Sequence, residues 1–345
     1  MDRAVIRGLP KAELHQHLDG SLRPATAVAL GADIGLPLDL DEARRRLVAP
    51  ERCANQAELL SYFDLPLELL QTAAALRRVA AELVTDLATD GVTYAEIRWA
   101  PRLHLRGGLS VREVLDAVSA GVADGRTALG PRAPAIGLIV TAMRSHPPRA
   151  NVELALAAGE HGEPVVAFDL AGPEAAFPAP PHAAAFRAAE AGGLHLTAHA
   201  GEVPGSERIR EAILLGVERI AHGVTVAADA DLISLVRERD LTLDLCPTSN
   251  VQAGIVPSLA EHPLALLHRA GVSVTLSTDD RTVSDTTLTD EIVDVALALA
   301  LNPGELARIA LNGFDRAFAP RDRIAPLRRA ASAAWAAWAG ETLTS

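Results

Sequence analysis

Four short polar stretches interrupt the apolar segments of this sequence, and each carries side chains able to bind a metal or move a proton. The first is His15-Gln16-His17-Leu18-Asp19-Gly20. Side chains at i and i+2 of a strand point to the same face, so His15 and His17 can reach one cation. Two unrelated histidines give the same local pattern. The second stretch, His199-Ala200-Gly201-Glu202, supplies a third imidazole, with a carboxylate three residues on that can transfer protons. Its structural alternative is a strand-end histidine followed by a helix-start glutamate. The third, Ala221-His222-Gly223, taken alone reads as a buried, hydrogen-bonded histidine. The fourth, Ser277-Thr278-Asp279-Asp280, ends another apolar run. Adjacent buried carboxylates need a partner, and a metal ion is one; a helix N-cap with a second acid near the dipole is the alternative.

The four signals reinforce one another. Three histidines and one aspartate make a zinc shell with a position left for water, and a zinc-bound water ionises near neutral pH to become a strong nucleophile. Glu202 and His222 remain as free acid–base groups. The other seven histidines, His104, His146, His161, His182, His195, His262 and His268, fall into no such constellation and read as surface or structural.

These stretches all fall at the ends of expected strands. Apolar runs suited to parallel strands buried on both faces occur near 12–17, 92–99, 135–142, 165–170, 194–199, 219–221, 241–245 and 272–277. Helical patterns lie between them, among them 67–88, 111–128, 206–215 and 229–239. Eight β/α alternations are the pattern of a closed (β/α)8 barrel, with an open doubly wound sheet second. In such a barrel the active site sits at the C-terminal ends of the strands. Two regions exceed the plain repeat: a helical insertion at about 22–90 and a helical tail at about 284–341. Leu59, Leu60, Tyr62, Phe63 and Leu65 in the insertion are expected either to line a pocket or simply to pack. All 345 residues read as a single barrel domain, a length barrels commonly reach.

Composition narrows the partners. A net charge of −12 offers no basic face for nucleic acid and no polybasic patch for an anionic membrane. Cys53 and Cys246 form no CxxC pair, which fits a reducing cytoplasm, and the first fifteen residues hold no apolar run of a signal peptide. No apolar run is long enough to span a membrane. A cytidine-deaminase type of zinc site needs PCxxC and is excluded. A two-metal hydrolase bridged by a carboxylated lysine at strand 4 is excluded too, because the sole lysine is Lys11. The sequence sets no oligomeric state.

The motifs, in order, are LPKAELHQHLDGSLRP, YAEIRWAP, AMRSHP, FDLAGPE, TAHAGE, RIAHG, LCPTSNVQAG and STDDRTVSDTTLTDE. Over roughly residues 9–320 the chain resembles the adenosine deaminase family, most closely its bacterial members. The resemblance implies one zinc per chain held by His15, His17, His199 and Asp279. It implies that Glu202 protonates purine N1, that His222 orients the zinc hydroxide and helps stabilise the charge that develops as it attacks C6, and that Asp280 bonds N7. It further implies that the Gly172 amide meets N3, that Asp19 holds the ribose hydroxyl, that His17 also takes part in substrate binding, and that Ser249 buttresses Asp279. The expected reaction is hydrolysis of adenosine and 2′-deoxyadenosine to inosine and 2′-deoxyinosine plus ammonia. Two departures, Pro173 in FDLAGPE and Ser277 in STDD, remove no reacting group. Relatives acting on adenine or 6-aminodeoxyfutalosine share this machinery but tend to carry Glu where Asp19 stands. The structural alternative for Asp19 is a cap on a helix beginning near Leu22. A catalytically dead purine-binding protein would be expected to lack a ligand or Glu202, and none is missing.

Overall fold

The apolar runs become strands because both of their faces are covered. They are β1 (Lys11–His17), β2 (Val92–Trp99), β3 (Ala135–Met143), β4 (Val165–Ala171), β5 (His195–Ala200), β6 (Arg219–His222), β7 (Thr242–Leu245) and β8 (Ser273–Leu276), each within one residue of its expected bounds. The computed structural model describes the backbone of residues 1–344 and side chains through residue 340.

The strands are parallel and ordered β1 to β8 around one eight-stranded sheet. An open doubly wound sheet reverses its strand order at a switch point; no reversal occurs here, so the barrel is the fold. Its last joint is slight. β1 meets the chain beyond β8 through a single bridge, Gln16 to Asp279. There the His17 amide donates to the Asp279 carbonyl at 2.7 Å, and the Asp279 amide donates to the His15 carbonyl at 2.9 Å.

Charged side chains fill part of the barrel interior, and they are paired, as buried ions must be. Arg219 donates to Asp244 at 2.9 Å, pairs with Glu96, and lies 3.7 Å over the Phe318 ring. Arg98, fully buried, donates to the Leu14 carbonyl at 2.9 Å and sits 3.4 Å from Asp169. Lys11 is used far from any metal chemistry: its ammonium donates to the carbonyls of Ile6, Arg7 and Leu9 at 3.0 to 3.1 Å, and burial lowers it to about 8.

With few aromatic residues, the helices pack close. Helix Ala73–Thr89 buries Leu76, Val79, Ala80, Leu83 and Leu87 at helical spacing. Helix Val111–Leu129, opened by a Ser110/Glu113 capping box, lies against it. A β-carbon on Gly121 would stand 2.2 Å from the Arg77 carbonyl oxygen, so only glycine permits that approach. The helix expected over 67–88 is two helices, Asp64–Leu69 and Ala73–Thr89. Leu70 leaves the helical region at φ −93° and ψ 47°, and Thr72 accepts from the Ala75 amide to start a new helix. Helices Pro24–Asp33, Leu40–Leu47 and Gln56–Ser61 precede this pair.

Three helices follow β8: Leu288–Ala298, Pro303–Asp315 and Arg321–Thr344. Pro303–Asp315 packs on both β8 and β1, covering the joint. Trp335 Nε1 donates to the Pro10 carbonyl at 2.8 Å, tying the tail to the start of β1. Among the described residues no helix is long and apolar enough to cross a membrane.

Candidate active site

The ends of β1, β5, β6 and β8 deliver His15, His17, His199, His222 and Asp279 to one point. One ligand atom from each of His15, His17, His199 and Asp279 lies within 4.8 Å of the others, and such a group can hold a metal ion. His15 Nε2 is 3.0 Å and His17 Nε2 3.3 Å from Asp279 Oδ1, and the Nε2 atoms of His17 and His199 are 3.2 Å apart. The backbone is bent to achieve this. His222 and Asp279 adopt φ of 68° and 62°, a left-handed conformation that non-glycine residues rarely hold.

The electrostatics favour ligands over charged acids and bases. Burial, with the Arg98 charge, holds the His15 imidazole well below its ordinary range, and burial also lowers His199. His15 is fully buried; its Nδ1 has no hydrogen-bond partner, and its Nε2 faces the Asp279 carboxylate. Burial alone would raise Asp279, but the imidazoles of His15 and His222 outweigh it and hold the carboxyl well below the usual range. Asp280 goes the other way: burial, then the charges of Asp279, Asp19 and Glu202, push it well above the usual range.

A cavity of about 270 Å³ opens above this floor. His17, Asp19, Gly172, His199, Glu202, His222, Asp279 and Asp280 all line it, so all the expected site residues except the fully buried His15 face one space. Gln56, Leu59, Leu60, Phe63 and Leu67 from the segment after β1 also line it, with Leu103 and Met143. The five apolar residues singled out in that segment divide. Leu59, Leu60 and Phe63 line the cavity, Tyr62 packs on a small cluster with Ala49 and Cys53, and Leu65 joins the main core.

Of the local alternatives, that for His222 holds, since the ring is buried and hydrogen-bonded to Asn250 while also lining the cavity; the other three do not. Asp19 caps nothing through its side chain: the next α-helix starts at Pro24 with Arg23 at its cap. Glu202 lies in a loop and the helix starts at Glu207. Asp279 lies at the β-bridge, not at a helix cap.

Around the floor stands a set of supporting residues, of which only Ser249 was expected from the sequence. Asp169 lies 3.1 Å from His199 Nδ1, which points that ring's other nitrogen at the cluster; burial would raise this carboxyl, but His199 and Arg98 hold it well below the usual range. Ser249 Oγ donates to Asp279 Oδ2 at 2.7 Å. Glu174 accepts from the amides of Gly201 and Glu202 at 2.9 and 3.0 Å, fixing the loop that carries Glu202. Arg144 Nη2 donates to the His199 carbonyl.

Two histidines read as merely structural sit beside the site. His104 Nε2 is 3.8 Å from Asp19 Oδ2, with its Nδ1 2.9 Å from the Leu70 carbonyl. His262 is joined to His222 through Asn250. The available signal for Asp169 was a charged residue inside an apolar run, Val-Val-Ala-Phe-Asp169; Asn250, within Cys-Pro-Thr-Ser-Asn, carried no such signal.

The family model for adenosine deaminase matches residues 10–332. An adenosine deaminase of Mycobacterium sp. strain JLS is 41% identical over 337 residues, covering 92% of each chain. Among solved structures, an adenine deaminase from Arthrobacter aurescens superposes with a TM-score of 0.86 at 27% identity, covering 94% of this chain and 98% of its own. An amidohydrolase from Burkhoderia ambifaria with bound zinc superposes with a TM-score of 0.89 at 26% identity, covering 99% and 94%.

Proposed function

This chain belongs to the adenosine deaminase family, and on that premise we propose that it hydrolyses adenosine and 2′-deoxyadenosine to inosine and 2′-deoxyinosine plus ammonia, as a single barrel unit holding one zinc ion. Support comes from one observation above all: three imidazoles and a carboxylate converge on the floor of a cavity that also exposes Glu202, Asp280 and Asp19. The donor set fits zinc, because three imidazoles and one carboxylate converge within 4.8 Å and burial favours the neutral form of His15 that a cation needs. Zinc, when bound there, supplies a Lewis acid that lowers the pKa of water.

The chain's own residues do the rest. Glu202, steadied through its amide by Glu174, protonates purine N1. C6 then becomes electron-poor as water adds and the 6-amino group leaves as ammonia. Asp280, held neutral by burial and its acidic neighbours, donates to N7, which can only accept. The Gly172 amide serves N3, and His17 and Asp19 border the ribose. Asp19 is buried with Oδ1 unpaired, and a ribose hydroxyl would supply the missing donor. Ser249 and Asp169 steady Asp279 and His199. The buried, unpaired Cys53 and Cys246 support a reducing, cytoplasmic setting.

An ultraviolet absorbance assay comparing adenosine, 2′-deoxyadenosine, adenine and 6-aminodeoxyfutalosine tests this reading. Both nucleosides should be turned over and adenine poorly, because a buried carboxylate left without its hydroxyl penalises the smaller substrate. Asp19→Ala should narrow the gap between adenosine and adenine. Preference of the wild type for adenine overturns the substrate assignment; unchanged discrimination in Asp19→Ala overturns only the role of Asp19.

A further inference from the structure

A chain of three buried side chains ends on His222, and it fixes where that ring carries its proton. The chain begins at a backbone amide, which has a proton to give and no lone pair. Leu264 N–H donates to His262 Nδ1 at 3.2 Å. Nδ1 is therefore the accepting nitrogen, and the single proton of this ring sits on Nε2. The ring is neutral, since burial lowers it to about 3. His262 Nε2 lies 3.2 Å from Asn250 Oδ1 and donates to it. With its oxygen so engaged, Asn250 turns its NH2 to the other side, where Nδ2 lies 3.1 Å from His222 Nδ1 and donates to it. His222 Nδ1 is thus an acceptor, which leaves the proton of a neutral ring on Nε2. That atom lies 3.6 Å from Glu202 Oε1 and 3.8 Å from Asp279 Oδ2. His222, Asn250 and His262 are all buried, so water does not compete for these bonds.

We infer that Asn250 and His262 are positioning residues that lock His222 in its Nε2–H tautomer, so that His222 meets the reaction as a hydrogen-bond donor and not as a base. A ring already protonated at Nε2 has no lone pair facing the substrate. It can donate to the oxygen that attacks C6 and oppose the negative charge gathering there; loss of one such donor costs roughly 10²–10³ in turnover. The acceptors left beside Nε2 are the carboxylates of Glu202 and Asp279. The catalytic consequence rests on the deaminase reading, whereas the tautomer does not.

The test is nitrogen NMR of zinc-loaded enzyme labelled with ¹⁵N at its histidine rings, with His222 identified by the signals lost in His222→Gln. The expected spectrum shows His222 Nε2 protonated and Nδ1 unprotonated. Asn250→Asp presents only acceptors, so His222 Nδ1 should become protonated while kcat falls about 10²–10³-fold with KM nearly unchanged. His262→Gln retains an N–H for Asn250 and should keep more of the wild-type kcat and tautomer than His262→Leu. A wild-type spectrum with Nδ1 protonated overturns the inference, as does an Asn250→Asp spectrum identical to wild type. Should Asn250→Asp fail to fold, the wild-type spectrum decides alone. The expected spectrum in an enzyme inert toward adenosine would leave the tautomer lock standing and sink the deaminase reading.

Discussion

Replacing Gly20 by alanine should cripple the site while leaving the barrel folded. A β-carbon at this position would stand 1.8 Å from Asp280 Oδ1, 2.6 Å from its Cγ and 2.9 Å from its Cβ. Non-bonded β-carbons essentially never approach within 3.0 Å, so the carboxyl must move by 1.2 Å or more. The backbone has little freedom to retreat, because the Gly20 carbonyl accepts from the amides of Thr282 and Val283 at 2.9 and 3.2 Å, just beyond Asp280. The conformation of Gly20 itself is open to any residue, so the penalty is steric. Over-packing of this kind costs about 1–3 kcal/mol of stability. A displacement of about 1 Å at a group that positions the substrate costs about 10²-fold in rate. Thermal unfolding, metal content and kcat/KM for adenosine separate the two effects. The expected result is a folded, metal-bearing variant with kcat/KM down about 10²-fold, beside a Gly8→Ala control indistinguishable from wild type because nothing lies within 4 Å of that position. A folded Gly20→Ala enzyme with near wild-type kcat/KM refutes the reasoning and removes Asp280 from the substrate's path.

Glu202→Gln should retain its metal yet lose about 10²–10⁴-fold in kcat, since the amide cannot give N1 a proton; retention of more than about a tenth of the activity moves that role elsewhere. Elemental analysis should find about one zinc per active chain, and none or two contradicts the four-donor assignment. Glu291, fully buried, accepts from the Thr248 amide at 2.8 Å and from its hydroxyl, and burial pushes its carboxyl from 4.5 up to about 7. The folded chain holds this proton more tightly than the unfolded chain. Its contribution is therefore full below pH 4.5 and fades as pH rises toward 7, by up to about 3 kcal/mol. The stability difference between wild type and Glu291→Gln in urea should shift by that amount across the window, and a flat difference rules the effect out.

The strands were legible because parallel strands buried on both faces leave near-continuous apolar runs, each ended by a polar motif. The helix break at Leu70 was not, since Leu67–Ala88 keeps an unbroken apolar period and the cap at Thr72 is a single hydroxyl. His15, His17, His199 and Asp279 stood out because ligand types recurred at strand ends. Apart from Ser249, their supports did not: Asp169 bonds a histidine 30 residues away and Asn250 one 28 residues away, and nothing near either position announces the partner. His104 and His262 were set aside for the same reason. A lone histidine in a helix or loop acquires meaning only when the fold brings Asp19 or Asn250 to it.

The slight joint between β1 and β8 gives the barrel the character of a hoop with a clasp. Where β2 and β3 share six paired positions, the hoop closes through one bridge. His15 and His17 stand on one side of that clasp and Asp279 on the other. Any breathing that parts the strands there also parts the donors, so a cation held between them opposes the opening. Closure and occupancy must then strengthen each other by the same free energy. An empty centre should loosen first at its own seam, and the backbone amides of His17 and Asp279 should be among the earliest to exchange with solvent.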